Sequence, residues 1–195
     1  MGRTARIERK TAETDITVEL ALDGSGKGDI RTGIGFFDHM LKLFTKHGLF
    51  DVEIDARGDL DVDAHHTVED VGIVLGQAIK AALGDKKSIK RYGFCSMPMD
   101  ESLTAVTLDL SGRAYLVFNG AFKGERVGEM DTGLVEEFFR AVAFNAGITL
   151  HINIMYGSND HHMIEGAFKG CGRALDQAVS IDERIEGVMS TKGVL

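Results

Sequence analysis

Apolar positions along the chain recur with two periods, and the switches between them mark out the elements. Residues 4–11 and 14–22 mix or alternate β-branched and polar side chains, with Ile7 and then Ile16, Val18, Leu20 and Leu22 in the apolar register. They stop at Gly24-Ser25-Gly26; a period of two with a glycine stop predicts a strand pair closed by a turn, with Glu13 between the strands. The period then changes to that of a helix. Phe37, Met40, Leu41 and Phe44 form a stripe that begins after Gly33 and Gly35 and is stopped by Gly48. Alternation at Val52, Ile54 and Ala56 predicts a strand from Phe50 to Ala56. Val68, Val71, Leu75, Ile79 and Ala82, at helical spacing, predict a helix ending at Gly84. The first half reads strand, strand, helix, strand, helix.

After a basic connector, Lys86-Lys87-Ser88-Ile89-Lys90-Arg91, the order returns. Strands are predicted at Leu103 to Leu110 and Tyr115 to Phe118, a helix at Leu134 to Asn145 and a strand at Ile148 to Ile154. A last helix runs through Phe168 and Leu175 to Val179. An offset of 88 matches Glu13 to Glu101, Val18 to Val106, Leu20 to Leu108 and Gly24 to Gly112. An offset of 98 matches Gly35 to Gly133, Asp38 to Glu136 and His39 to Glu137, and one of 96 matches His65, His66 and Glu69 to His161, His162 and Glu165. The chain is a duplication, with residues 1–88 as the first half-repeat and 89–195 as the second, in one compact unit. Each half is a sheet with two helices on one face, and such halves bury themselves helix layer against helix layer. The expected class is α+β with pseudo-two-fold symmetry.

The matched stretches Asp63-Ala64-His65-His66-Thr67-Val68-Glu69-Asp70 and Asn159-Asp160-His161-His162-Met163-Ile164-Glu165 use four of the seven histidines. In a helix, the first His and the Glu of His-His-x-x-Glu share a face, and the second His is turned by about 100°. One pair can chelate a metal while the other His reaches a different one. Pseudo-symmetry then predicts two sets, His65 and Glu69 with His162 and Glu137, and His161 and Glu165 with His66 and His39. Imidazole and carboxylate donors without thiolate suit Mn, Fe, Co, Ni or Zn, and six-coordinate Mn²⁺ would keep positions open for substrate. His151, opposite Glu53 in the repeat, reads as a structural or supporting histidine.

Composition narrows the class. A formal net charge of −8 argues against a general nucleic-acid or anionic-membrane binder. No apolar run reaches the roughly 18 to 20 residues of a membrane span, and Met1 to Lys10 is charged where a secretion signal is apolar. A cytoplasmic protein is expected. Cys95 and Cys171 lack metal or redox spacing and read as buried free thiols. Within this acidic chain, Arg91, Arg113, Lys169 and Lys192 are candidates to hold a small anion, by charge-assisted hydrogen bonds.

Gly35-Phe36-Phe37-Asp38-His39-Met40-Leu41, the two His-His-x-x-Glu stretches, Phe168-Lys169 and Ser190-Thr191-Lys192-Gly193-Val194-Leu195 occur in an order and with gaps that resemble the imidazoleglycerol-phosphate dehydratase family over essentially the whole chain. The resemblance implies dehydration of imidazoleglycerol phosphate to imidazole acetol phosphate in histidine biosynthesis. It implies two Mn²⁺ ions per active site, other divalent transition metals being alternatives, and trimers assembled into a 24-subunit shell with active sites between subunits. The family's metal ligands map onto His39, His65, His66, Glu69, His161, His162 and Glu165; at the eighth position, Glu137, many relatives have His. Its substrate contacts map onto Glu13, His47, Arg91, Arg113, Lys169, Ser190 and Lys192.

The chemistry explains why such a site needs metals. The hydrogen to be lost has no carbonyl beside it, so the imidazole itself must become the source of electrons that expels the neighbouring hydroxyl. Glu13 is the expected acid/base, outside the metal set, with His47 the next choice. Two other readings compete, a metal-stapled structural protein and a dimetal phosphoesterase. The first has no use for the basic cluster or Glu13, and the second normally needs a carboxylate bridging its metals.

Overall fold

The computed structural model describes residues 2–195. The first half folds as β1 (Thr4–Lys10), β2 (Thr14–Ala21), β3 (Gly28–Arg31), α1 (Gly35–Gly48), β4 (Asp51–Gly58) and α2 (His65–Leu83). The second follows as β5 (Tyr92–Met99), β6 (Ser102–Asp109), β7 (Tyr115–Asn119), a small ribbon β8 (Arg126–Val127) and β9 (Met130–Asp131), then α3 (Leu134–Ala146), β10 (Thr149–Tyr156) and α4 (Asp160–Val179). The sheets have orders β1-β2-β4-β3 and β5-β6-β10-β7. In each, the last strand joins in parallel and the others are antiparallel. The α+β class and the duplicated plan are as the sequence predicts.

Four strands escape the sequence reading. β3 is four residues with a single buried apolar position, Ile30, too short to show a period. β5 carries Pro98, which argues against a strand unless it lies at an edge. The edge is where it lies, paired only with β6. The β8–β9 ribbon has two residues a side.

The helices interlock across the halves. α1 packs on α4 and α2 on α3, while α2 covers β1 and β2 and α4 covers β5 and β6. Phe37, Phe138, Phe139 and Phe168 meet at the centre, with Phe138 stacked on Phe168 at 5.2 Å. Two repeat-mates let the helix pairs approach. A Cβ on Gly76 of α2 would lie 2.7 Å from the Val142 carbonyl oxygen of α3, and one on Gly172 of α4 would lie 2.5 Å from that of Phe44 on α1. Glycine at both crossings puts the backbones in contact.

The outer faces of the two sheets differ. The first is charged, with Arg6 paired to Glu8 and Glu19, and Arg31 to Asp29, Glu53 and Asp55. On the second, Phe94 is 69% exposed and Tyr115 61%. No helix among the described residues is long and apolar enough to cross a membrane.

Candidate functional site

Where β10 ends, Asn159 caps α4, its side-chain oxygen accepting from the His161 amide at 3.0 Å. The cap fixes the start of the helix, so His161 and Glu165, one turn apart, stand together against α1. There His39 waits. His161 Nε2 is 3.2 Å, and His39 Nε2 3.8 Å, from Glu165 Oε2. One donor atom from each of the three lies within 4.8 Å of the others. Phe36 packs edge-on to the His161 ring at 5.1 Å. Burial pushes the Glu165 carboxyl up, but the hydrogen bond and charge of Lys169, with His161 and His39 behind, outweigh it and hold the carboxyl below its ordinary value. Two imidazoles and an ionised carboxylate converging on one point, with no thiol, suit a divalent transition metal.

The repeat-mates of this trio do not converge in the same way. His65 and Glu137 line a cleft of about 730 Å³ with Glu129, Asp131 and Arg126. Among the described residues, neither Glu69 nor Glu137 comes within ion-pair distance of His65. Glu137 is instead held by Arg140, 3.5 Å away on its own helix.

His66 and His162, the second histidine of each motif, are not among the groups gathered at His39, His161 and Glu165. Each is held through Nδ1. His66 Nδ1 donates to Asp59 Oδ2 at 3.0 Å, with Glu13 Oε2 at 3.8 Å, and His162 Nδ1 donates to Glu101 Oε2 at 2.7 Å. The Asp59 hydrogen bond first, then the Glu13 charge, raises the His66 pKa against partial burial. The Glu101 bond does the same for His162. That bond and the amides of Ser158 and Asn159 bring the Glu101 carboxyl down to about 2. Neither Asp59 nor Glu101 is singled out as a site residue by sequence reasoning. The signal for Glu101 is its match to Glu13; that for Asp59 is the drop in offset from 98 to 96 across the loop that holds it.

The anion candidates divide between two places. Arg91, Arg113, Ser190 and Lys192 line one cleft of about 700 Å³. Arg91 grips Asp109 with Nε and Nη2 at 2.7 and 3.0 Å and donates through Nη1 to the Met189 carbonyl at 2.6 Å. Lys169 lies apart, paired with Glu165 beside the trio. His47 stands near Lys169, half-buried, and burial and then the charges of Lys169 and Arg173 lower its pKa. His151 lies on β10 between Thr107 and Val117, in none of the metal-type clusters among the described residues.

A family model described as imidazoleglycerol-phosphate dehydratase matches residues 32–175. A curated protein of that name from Acetivibrio thermocellus is 68% identical over 195 residues, covering 100% of both chains. Another, from Clostridium acetobutylicum, is 65% identical over 191 residues, covering 98% of this chain and 97% of the relative. The crystal structure of the protein of that name from Staphylococcus aureus matches with a TM-score of 0.84 at 44% identity, covering 92% of this chain and 99% of that one. One from Pyrococcus furiosus matches with 0.84 at 38% identity, covering 97% and 100%.

Proposed function

The chain belongs to the imidazoleglycerol-phosphate dehydratase family, and so to the hydro-lyases of histidine biosynthesis; from that premise we propose that its residues dehydrate imidazoleglycerol phosphate at a centre of two divalent metals, Mn²⁺ for preference, completed between copies of the chain. The observation that carries the reading is the convergence of His39, His161 and Glu165 within 4.8 Å. With His66 of a neighbouring copy they would hold one metal; His65, Glu69 and Glu137, with His162 of a neighbouring copy, would hold the other. Bound there, the metals supply Lewis-acid activation of the substrate imidazole.

The protein's own groups do the rest. Glu13 exchanges the proton at the side-chain carbon, and its exposed carboxylate at the β1–β2 turn accepts no hydrogen bond among the described residues. Lys169 neutralises the buried Glu165. Arg91, Arg113, Ser190 and Lys192 take the phosphate, the Arg91 guanidinium being aligned by Asp109 and the Met189 carbonyl.

Two features support assembly from several copies. α4 begins at the His161 and Glu165 cluster and ends where the Arg91 amide donates to the Ala178 carbonyl, so the phosphate cleft lies about 20 Å along that helix from the metals of its own chain. An imidazole ring with a three-carbon chain spans well under half of that. A substrate reaching both needs a cleft from another copy. Phe94 and Tyr115, exposed on the outer face of the second sheet, are the natural anchors for such contacts. A closed 24-mer of trimers, as the family resemblance implies, satisfies both, and the free thiols Cys95 and Cys171 fit the cytoplasm.

The test is a direct competition of outcomes on one substrate. Purified protein with Mn²⁺ should convert the imidazole diol phosphate to the ketone without releasing phosphate, and a strong chelator should stop it. Phosphate release without the ketone would replace this reading with phosphoester hydrolysis. Metal binding without either product would leave a structural protein.

A further inference from the structure

Glu13 and Glu101 are repeat-mates at the β1–β2 and β5–β6 turns, yet their carboxylates are used differently. Glu101 is fully engaged. Its Oε1 accepts from the amides of Ser158 and Asn159 at 3.0 and 2.8 Å and from the Ser158 hydroxyl at 3.4 Å, and its Oε2 accepts from His162 Nδ1 at 2.7 Å. Glu13 stays 3.8 Å from His66, because Asp59 takes that Nδ1 at 3.0 Å. The loop between β4 and α2 is longer than its counterpart between β10 and α4, and its first residue, Asp59, meets His66. At the matching place in the second half stands Gly157, which has no side chain to offer.

An imidazole whose Nδ1–H is fixed on a carboxylate has a bare Nε2, the form that ligates a metal. His162 Nε2 lies 3.8 Å from Asp100 Oδ2, outside hydrogen-bond reach, so that nitrogen remains available. We propose that Glu101 is a positioning residue that holds His162 in its metal-binding tautomer, that Asp59 performs this task for His66, and that the substitution of Asp59 in the first half is what leaves Glu13, and not Glu101, free to exchange a proton with substrate. The proposal rests on the two-metal reading above and adds a division of labour between two glutamates that the duplication made equivalent.

Glu101→Gln tests it with little disturbance to the fold. Its carbonyl can keep the Ser158 and Asn159 amides, which turns its NH₂ to His162 Nδ1 and favours the opposite tautomer, with Nε2 protonated. The readout is a Mn²⁺ titration followed by the electron-spin resonance of the free ion, on the intact protein and on Glu101→Gln, Glu101→Ala, Asp59→Asn and Glu13→Gln. The half-saturating Mn²⁺ for one of the two sites should rise roughly 10- to 100-fold in both Glu101 variants and in Asp59→Asn. Glu13→Gln should titrate like the unaltered protein. Ring-nitrogen NMR on the metal-free protein should show the His162 tautomer inverted in Glu101→Gln. An unchanged titration in both Glu101 variants overturns the positioning role, and a Glu13→Gln shift as large as theirs overturns the division of labour. If the unaltered protein binds no Mn²⁺, the two-metal reading fails first and takes this one with it, an outcome distinct from either.

Discussion

Replacing Gly172 by alanine would test whether the close crossing of α1 and α4 is what holds His39, His161 and Glu165 together. The added Cβ would lie 2.5 Å from the Phe44 carbonyl oxygen and 3.0 Å from the Gly48 nitrogen, both backbone atoms of α1. Neither can rotate away. Restoring an ordinary contact requires α1 to move by about 1 Å relative to α4. Overpacking of this kind costs about 1–3 kcal/mol, and alanine returns about 1 kcal/mol of helix propensity. The net destabilisation should therefore be small, about 0–2 kcal/mol. The site should suffer more, because α1 carries His39, α4 carries His161 and Glu165, and metal–ligand distances tolerate only about 0.2 Å. Half-saturating Mn²⁺ should rise roughly 10-fold or more, in line with lost support of a ligand. Calorimetric melting and a metal titration on the same sample separate the two effects. Gly35→Ala, where a Cβ meets nothing within 4 Å, controls for stability and should melt no lower than the parent. A Gly172→Ala protein with an unaltered metal titration would show that the crossing does not set the ligand geometry.

Three further outcomes follow from other parts of the structure. Glu13→Gln should lower kcat by roughly 10²- to 10⁴-fold with metal still bound, the usual contribution of general acid–base catalysis; a raised KM with kcat intact would mark a binding role and pass the proton to His47. Glu137→Ala should leave one metal position empty while Glu137→His fills both, as read by metal counting; two metals per chain in the alanine variant would remove Glu137 from the ligand set. Because burial and the charges of Lys169 and Arg173 depress the His47 pKa below 6.5, the unfolded chain binds the extra proton more readily than the native one. Stability of the metal-free protein should thus fall as pH drops below about 6.5, and His47→Gln should flatten that part of the profile; melting curves that overlay across that range would show that His47 makes no such contribution.

The helices and inner strands were legible because each buries one face and keeps the other polar. Phe37, Met40, Leu41 and Phe44 on α1, and Val52, Ile54 and Ala56 on β4, are buried as their spacing predicts. β5 was opaque because Tyr92 and Phe94 point outward, so no polar register alternates with the apolar one. The trio of His39, His161 and Glu165 could be read from the repeat, since helical spacing alone joins His161 to Glu165. The placement of His66 and His162 could not. It depends on Asp59 and Glu101, which act through loops whose lengths differ between the halves, and no period records a loop. The separation of the basic cleft from Lys169 was equally hidden, because it depends on which end of α4 each residue meets.

The interlocked pairing of α1 with α4 and α2 with α3 has a consequence for ancestry. A half-length chain has no closed core of its own, since the apolar faces of its helices are covered by the other half. Two identical half-chains could cover each other, and in such a pair every position in one partner has an equal in the other. Joined end to end in a single gene, the halves could drift apart while still burying each other. One could lengthen a loop and gain Asp59 while its twin kept Glu101, and one could carry His39 where the other carries Glu137. Asymmetric chemistry inside a symmetric fold is a freedom that only the fused chain possesses.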